Sequence, residues 1–408
     1  MSLTVVIISF SPLARDPRVL RQVDLITEAF PGAKIITVGH GEAWSELVEH
    51  HQIFGSAALA RGRRLVLFGP SGTRIFDISF GRFLAKVAAG IGFHSYFFKR
   101  ISRVKEAHDL LRKIQETYDV SHVICNDFDC LPLLKEHFGG HMVFLDSHEF
   151  TPNQSLSASL GKVVVRRHKR WLVRSTYYYP AKMSTVSEGI RQEYLREFGT
   201  REIGIWPNAP RPITLESPRA VSTPVRLVHH GLGTRPRQLE RMVRTLQDLG
   251  DGYELHFYLV NLDPQYRVEL ETLASKDALF FHEPVATSDL STELSQYDIG
   301  IFLHEPKSVN AKYMLPNKFF EFVNAGLAVA TGPAVEMAAI STKQDFGIVA
   351  DDFEPSSLAS KLRNLPNEEI RSKKLAARAY AGTLEKMYKH ESFLSFLFKS
   401  ARDESEGA

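Results

Sequence analysis

The sequence is poor in several features, and each absence narrows what it encodes. Two cysteines, Cys125 and Cys130, serve a chain of 408 residues. They stand close together without metal-type spacing, which argues against a disulfide framework and for a reducing compartment. No apolar run approaches ~18 residues, so no segment is expected to span a membrane. MSLTVVIISF enters a strand at once, with no basic stretch and cleavage site, so no signal peptide is expected. There is no short tandem repeat and no recognisable nucleic-acid-binding module, so nucleic acid is not an expected partner. These absences suggest a cytoplasmic protein.

What is present is an ordinary soluble composition, 44% hydrophobic and 24% charged. A chain of 408 residues exceeds one core, and two domains of roughly 200 residues each are expected. The net charge of +3 is unevenly spread. Residues 1–210 hold 27 Lys+Arg against 20 Asp+Glu, and residues 211–408 hold 23 against 27. GKVVVRRHKRWLVR (161–174) has six basic and no acidic side chains. One end of the molecule is therefore expected to be electropositive.

Apolar runs alternate with helical periodicity along the first half. Strands are expected at 4–9, 34–39, 121–127 and 141–149, and helices at 16–30, 103–118 and 131–138. PNAPRPITLESPRAVSTP (207–224) carries five prolines and reads as a semi-rigid linker. The alternation then restarts at VRLVHHG (225–231) and runs to about residue 352, followed by a last helical region. The pattern predicts an α/β chain of two doubly wound Rossmann-like domains facing each other across a cleft. The boundaries are 1–207, a linker at 208–224, 225–385, and a C-terminal helix and tail at 386–408, a candidate to pack back on the first domain.

Ligands bind such sheets beyond the carboxyl ends of the strands, so polar residues there are the candidates. After the first strand, Asp16 suits a helix N-cap, while Arg15 or Arg18 suits an anion or a sugar hydroxyl. After 121–127, Asp127 and Asp129 suit capping better than a divalent metal, for which further oxygen ligands are lacking. DSHEF supplies Asp146, His148 and Glu149, and a carboxylate beside His148 should fix its tautomer and raise its basicity. HHGLGTRPRQ (229–238) offers Gly233, with Arg235 and Arg237 for a diphosphate. Pro236 stands where a dinucleotide fingerprint needs its third glycine, which counts against a nicotinamide site.

In LPNKFFEFVNAGLAVATG (315–332), Asn317, Lys318, Glu321 and Asn324 share one face of an expected helix, 316–325, opposite Phe319, Phe322 and Val323. Asn317 and Lys318 lie at the dipole end that favours an anion. Glu321, one turn on, could bridge the vicinal hydroxyls of a ribose.

Several stretches in order resemble the family-4-type retaining glycosyltransferases of the GT-B fold: SPLARDPRVLRQ, DSHEF, STVSEGIRQEYLREFG with WPN after it, FFHEPVATSDLSTELSQYDIGIFL and LPNKFFEFVNAGLAVA. The resemblance covers residues 4 to about 365. It implies a C-terminal domain that binds a nucleotide-sugar and an N-terminal domain that binds the acceptor. It implies that Glu321 holds the ribose, that Lys318 with Arg235 or Arg237 holds the diphosphate, and that His148 lies near the transferred sugar. It implies no cofactor and no required metal. Asn317 and Gly233 join the donor side, Arg15, Asp146 and Glu149 the acceptor side, and His148 and Lys318 the catalytic set. In the family's E-x7-E motif a Glu precedes the ribose Glu by eight residues; here that position is Tyr313.

The expected acceptor is a glycan, lipid-linked or other hydroxyl compound. FGRFLAKVAAGIGFHSYFFKRISRVK (80–105) mixes aromatic and basic residues, which makes an anionic membrane surface a candidate partner and a peripheral location on the inner face a candidate place. Two rivals remain at this point: a sugar-nucleotide epimerase of the same fold, and a non-catalytic binding subunit, which Tyr313 favours.

Overall fold

Fully buried parallel strands read as unbroken apolar runs, and the two sheets of this protein are built on such runs. The computed structural model describes residues 3–54, 64–68, 74–79, 94–99, 102–154, 161–214, 219–274 and 277–403. The chain divides into two compact units. Unit 1 comprises Met1–Val186, Ile190–Ile205 and Lys389–Ala408; unit 2 comprises Ser187–Gly189 and Trp206–Tyr388.

Unit 1 holds β1 (Thr4–Pro12), β2 (Lys34–His40), β3 (Val48–Gln52), β4 (Arg64–Phe68), β5 (Arg74–Ser79), β6 (His122–Asn126), β7 (Met142–Ser147), β8 (Lys182–Thr185) and β9 (Gly204–Ile205). Seven of these form a parallel sheet in the order β3-β2-β1-β6-β7-β8-β9, and β4 and β5 pair separately as an antiparallel hairpin. Val5, Val6, Ile7 and Ile8 of β1 are fully buried at the centre of the sheet. The helix Pro17–Ala29 returns the chain to β2, capped by Asp16, whose carboxylate accepts from the Arg18 N–H at 3.1 Å. The helix Glu391–Asp403 belongs to this unit and sets Phe393 and Phe396 edge-on or tilted against Phe144 of β7.

Unit 2 holds β10 (Val225–Leu232), β11 (Tyr253–Val260), β12 (Leu279–His282), β13 (Ile299–Phe302), β14 (Ala328–Thr331) and β15 (Gly347–Val349), all parallel in the order β12-β11-β10-β13-β14-β15. The helix Asn317–Asn324 packs directly on this sheet. A Cβ on Gly300 of β13 would stand 2.2 Å from the Phe322 ring, so only glycine allows the approach. The proline-rich segment lies within unit 2, where Ala209 joins the core and the Ile213 N–H donates to Asn324 Oδ1 at 3.2 Å.

Both main sheets run outward from a central pair on either side, so the chain reverses direction between β1 and β6 and between β10 and β13. These are the doubly wound α/β units the alternation predicts, and the two reversal points are where ligands enter such folds. The strands β3, β4 and β5 and the helix Gly161–Thr176 are additions to the expected elements. β3 reads VEHHQ at a sheet edge with only Val48 buried, so it carries no apolar run to mark it. Among the described residues, no helix is long and apolar enough to cross a membrane. Residues 80–93, 100 and 101 of the segment expected to contact a membrane lie outside the described residues.

Candidate functional site

At the reversal point of unit 1, the helix Pro17–Ala29 and the ends of β6, β7 and β8 carry polar groups that satisfy one another. Asp146 is fully buried at the end of β7. Its Oδ2 accepts from Arg18 Nη1 at 2.5 Å and from Gln22 Nε2 at 3.4 Å, and its Oδ1 accepts from Ser184 Oγ at 2.8 Å. Gln22 and Asn126 exchange two further bonds at 2.9 and 3.0 Å. Burial alone would raise the Asp146 pKa, but the charges of Arg18, first, and Arg21 outweigh it and hold the carboxyl below its usual range.

This overturns the expected chemistry of His148. Its Nε2 is 4.0 Å from Asp146 Oδ2, beyond hydrogen-bond reach, because Arg18 occupies that oxygen. Burial and the Arg18 charge push the imidazole down to about 4. His148 is therefore a neutral group near pH 7 and less basic than a free histidine, and its Nε2 has no hydrogen-bond partner. The Glu149 backbone carbonyl accepts from Tyr194 OH at 2.7 Å and from Ser147 Oγ at 3.1 Å. Arg15 is exposed in a short 3-10 turn. Arg18, the alternative anion ligand, is spent on Asp146.

Asp127 does not cap. It precedes a 3-10 turn with no side-chain bond to it and has φ 71°. Burial, then Asp129 and Glu149, raise its carboxyl to about 7. Asp129 pairs with Lys169 at 2.6 Å. Among the described residues, no group of three or more His, Cys, Asp or Glu side chains is placed to hold a metal ion. The basic helix Gly161–Thr176 is less electropositive than its sequence suggests, since Arg170 also pairs with Glu197, at 2.6 Å.

Unit 2 is equipped differently. Of the polar face expected on the helix Asn317–Asn324, Glu321 and Asn324 are buried, while Asn317 and Lys318 are half-buried. The face does not act as one surface. Asn324 turns to the proline-rich segment and to Ser291, donating to Arg211 O at 3.0 Å and Ser291 Oγ at 3.1 Å. Lys318 and Glu321 instead reach the end of β10. Lys318 Nζ donates to His230 O at 2.8 Å and to His229 Nε2 at 3.0 Å, and lies 4.9 Å above the Phe302 ring. Glu321 is 8% exposed and His230 7%; Glu321 Oε2 and His230 Nε2 lie 3.1 Å apart but are not aligned, and neither atom has a hydrogen-bond partner. Two buried polar atoms without partners beside each other are costly and mark a place made for something else.

Charge converges on the same point. Burial and the Arg237 guanidinium lower Lys318 to about 7, against the opposing pull of Glu321. Burial, then Arg237, lowers His304, and burial, then Lys318, lowers His229, with Arg237 a smaller contribution. Arg235 is not part of this cluster. It grips Glu269 through two bonds of 2.6 and 2.5 Å and lies over the Tyr266 ring, so of the two arginines only Arg237 faces Lys318. Gly233 does not offer its N–H, which donates to Val260 O at 2.9 Å; it is glycine because a Cβ would stand 2.7 Å from Leu262 Cα. The glycine that matters at the site is Gly231, with φ 118° and room for a Cβ only 3.1 Å from Lys318 Nζ. His229, His230 and Gly231 went unremarked in the sequence. Their only signal there was position, two histidines and a glycine at the carboxyl end of the strand that restarts the alternation.

Tyr313 packs on Gly189, where a Cβ would meet its ring at 2.0 Å, and its carbonyl accepts from Ser187 Oγ at 2.7 Å. The aromatic ring thus fills the space beside a glycine, a packing role that a carboxylate would not perform.

Comparison of the sequence with protein-family models and with curated proteins gives no match. Solved structures do match over the whole length. A sucrose-phosphate synthase from Thermosynechococcus elongatus is 11% identical, with 100% of each chain covered and a TM-score of 0.67. A glycosyltransferase from Rickettsia africae is 12% identical, covering 98% of this chain and 99% of its own, at 0.63. HepE from Anabaena, solved with UDP, is 10% identical over 100% of each chain, at 0.62. Identity at this level speaks for fold alone, and the fold is GT-B, with two doubly wound α/β units.

Proposed function

We propose that the chain is a retaining glycosyltransferase whose unit 2 binds a nucleotide-sugar through its diphosphate and ribose. The observation that carries this reading is the pair of unpartnered buried atoms, Glu321 Oε2 and His230 Nε2, one helical turn from the Lys318 ammonium and beside the Arg237 charge. A ribose supplies two vicinal hydroxyls, which can donate to the carboxylate. A diphosphate supplies the negative charge that two facing cations lack. The similar HepE structure carries UDP, which agrees with such a ligand.

The chemistry follows from where charge develops. The bond from the sugar C1 to the diphosphate oxygen breaks, and a bond from the acceptor oxygen to C1 forms on the same face. The acceptor proton passes to the departing diphosphate. Negative charge grows on that diphosphate, and Lys318 with Arg237 is complementary to it without reorganisation. Lys318 sits near 7 in the free protein, and a bound dianion would raise it, so the cation is present when charge separates. The family resemblance gives His148 the place near the transferred sugar, and in that role it is a neutral imidazole. That form suits a sugar carbon gaining positive charge, which a protonated histidine would repel. Arg15 and Glu149 belong to the acceptor side of unit 1, and a glycan or lipid-linked hydroxyl is the acceptor class.

The test is release of nucleoside diphosphate from UDP-, GDP-, dTDP- and ADP-sugars, with product configuration read by NMR. An α-linked donor should give an α-linked product. Inversion would overturn the retaining assignment. Conversion of the donor sugar to its epimer without acceptor would replace transfer by epimerisation. Binding without turnover of any donor would leave the non-catalytic subunit that Tyr313 favours.

A further inference from the structure

Lysine is a compact charge on a flexible stem of four carbons, so a lysine that must meet a diphosphate at a fixed point needs something to hold it. The structure shows what holds Lys318. His229 is fully buried at the end of β10. Its Nδ1 lies 2.8 Å from Ile301 O of β13. A carbonyl oxygen only accepts, so Nδ1 carries the ring proton and Nε2 presents a lone pair. That lone pair faces Lys318 Nζ at 3.0 Å, and the His230 carbonyl takes a second ammonium proton at 2.8 Å. The ring itself is fixed, stacked on Phe302 at an interplanar angle of 2° and edge-on to Phe257 at 88°. Gly231 leaves open the space a side chain would take from the ammonium. Two of three N–H directions are thus assigned, and the third remains for a ligand.

We infer that His229 is a positioning residue for the diphosphate: as a neutral acceptor locked by the Ile301 carbonyl, it aims the Lys318 ammonium at the leaving group. The inference deepens the donor-site reading above and rests on it. His229 touches no substrate and acts only through Lys318. Its neutral form is enforced by its surroundings, since burial and the Lys318 charge push it well below the usual histidine range. The charged and titratable groups facing the pair are Arg237, Glu321, His230 and His304. A merely structural histidine would serve the sheet equally well with or without the lysine.

The test separates these roles by calorimetry with UDP, GDP, dTDP and ADP and with the matching nucleosides, which lack phosphates. His229→Leu removes the acceptor. It should weaken the diphosphate that binds by about tenfold, the worth of one charge-assisted hydrogen bond, while nucleoside binding stays within about twofold. In a Lys318→Met background, His229→Leu should add no further loss, because a positioning residue has nothing left to position. His229→Gln, whose amide oxygen can accept from Lys318, should recover part of the affinity, and it replaces His229→Leu if that variant does not fold. Equal weakening of diphosphate and nucleoside, or losses that multiply in the double variant, would overturn the positioning role. Binding of none of the four diphosphates by the native protein would instead overturn the donor site beneath it.

Discussion

The two units share one strand order and differ in how their reversal points are finished. In unit 1, Arg18, Gln22, Asn126, Asp146 and Ser184 close a network in which the buried carboxylate has its partners. In unit 2, Glu321 Oε2 and His230 Nε2 are also buried, lie 3.1 Å apart and have no hydrogen-bond partner. Topology therefore offers two equivalent positions, and the partners of the buried carboxylate distinguish them, whereas His148 Nε2 of unit 1 is as unpartnered as His230 Nε2 of unit 2. A closed network stabilises the fold and holds His148 neutral. An open pair costs stability, and in the proposed reading it keeps a binding position ready.

The sharpest way to break the comparison is to exchange its consequences. Arg18→Ala leaves Asp146 buried and unpaired, and should cost about 3–5 kcal/mol of folding stability by denaturant unfolding. Glu321→Ala removes a carboxylate that has an unpartnered oxygen. It should leave stability within about 1 kcal/mol or raise it, yet weaken nucleoside diphosphate binding by at least about tenfold. Equal stability losses in the two variants would erase the distinction.

A subtler effect separates the units by pH. Lys318 is lowered to about 7 from an ordinary 10.5, so between those values the unfolded chain binds the proton and the native chain does not. Its contribution makes stability rise with pH across that window. Binding runs the opposite way, because a diphosphate raises the lysine again. Affinity should be full below about 7 and fall by about tenfold per pH unit above it, until the lysine of the complex itself titrates. The slope should vanish in Lys318→Met. The smallest expected effect is at Arg235, whose exposed pairing with Glu269 keeps it from the site. Arg235→Ala should change diphosphate affinity by less than about twofold, against about tenfold for Arg237→Ala, both by calorimetry.

The alternating strands were legible because buried parallel strands are continuous apolar runs, and the helix carrying Lys318 and Glu321 fell within a residue of its expected ends. What stayed hidden depends on contacts distant in the chain. Lys318 meets His229 across 89 positions, and Arg235 meets Glu269 across 34. No local pattern chooses between Arg235 and Arg237, or says that Asn324 fastens the proline-rich segment while Glu321 stays open. The basicity of His148 was misjudged for the same reason: its neighbouring Asp146 had already been claimed by Arg18, which lies 128 residues away in sequence.

The most direct measurement is titration of UDP, GDP, dTDP and ADP into the native protein and into Glu321→Ala, with thermal unfolding followed in parallel. At least one diphosphate should bind the native protein and raise its unfolding temperature, and the same compound should bind the variant at least about tenfold more weakly. Binding of none of the four, or equal binding to both proteins, would contradict the assignment of unit 2 as a nucleotide-sugar site.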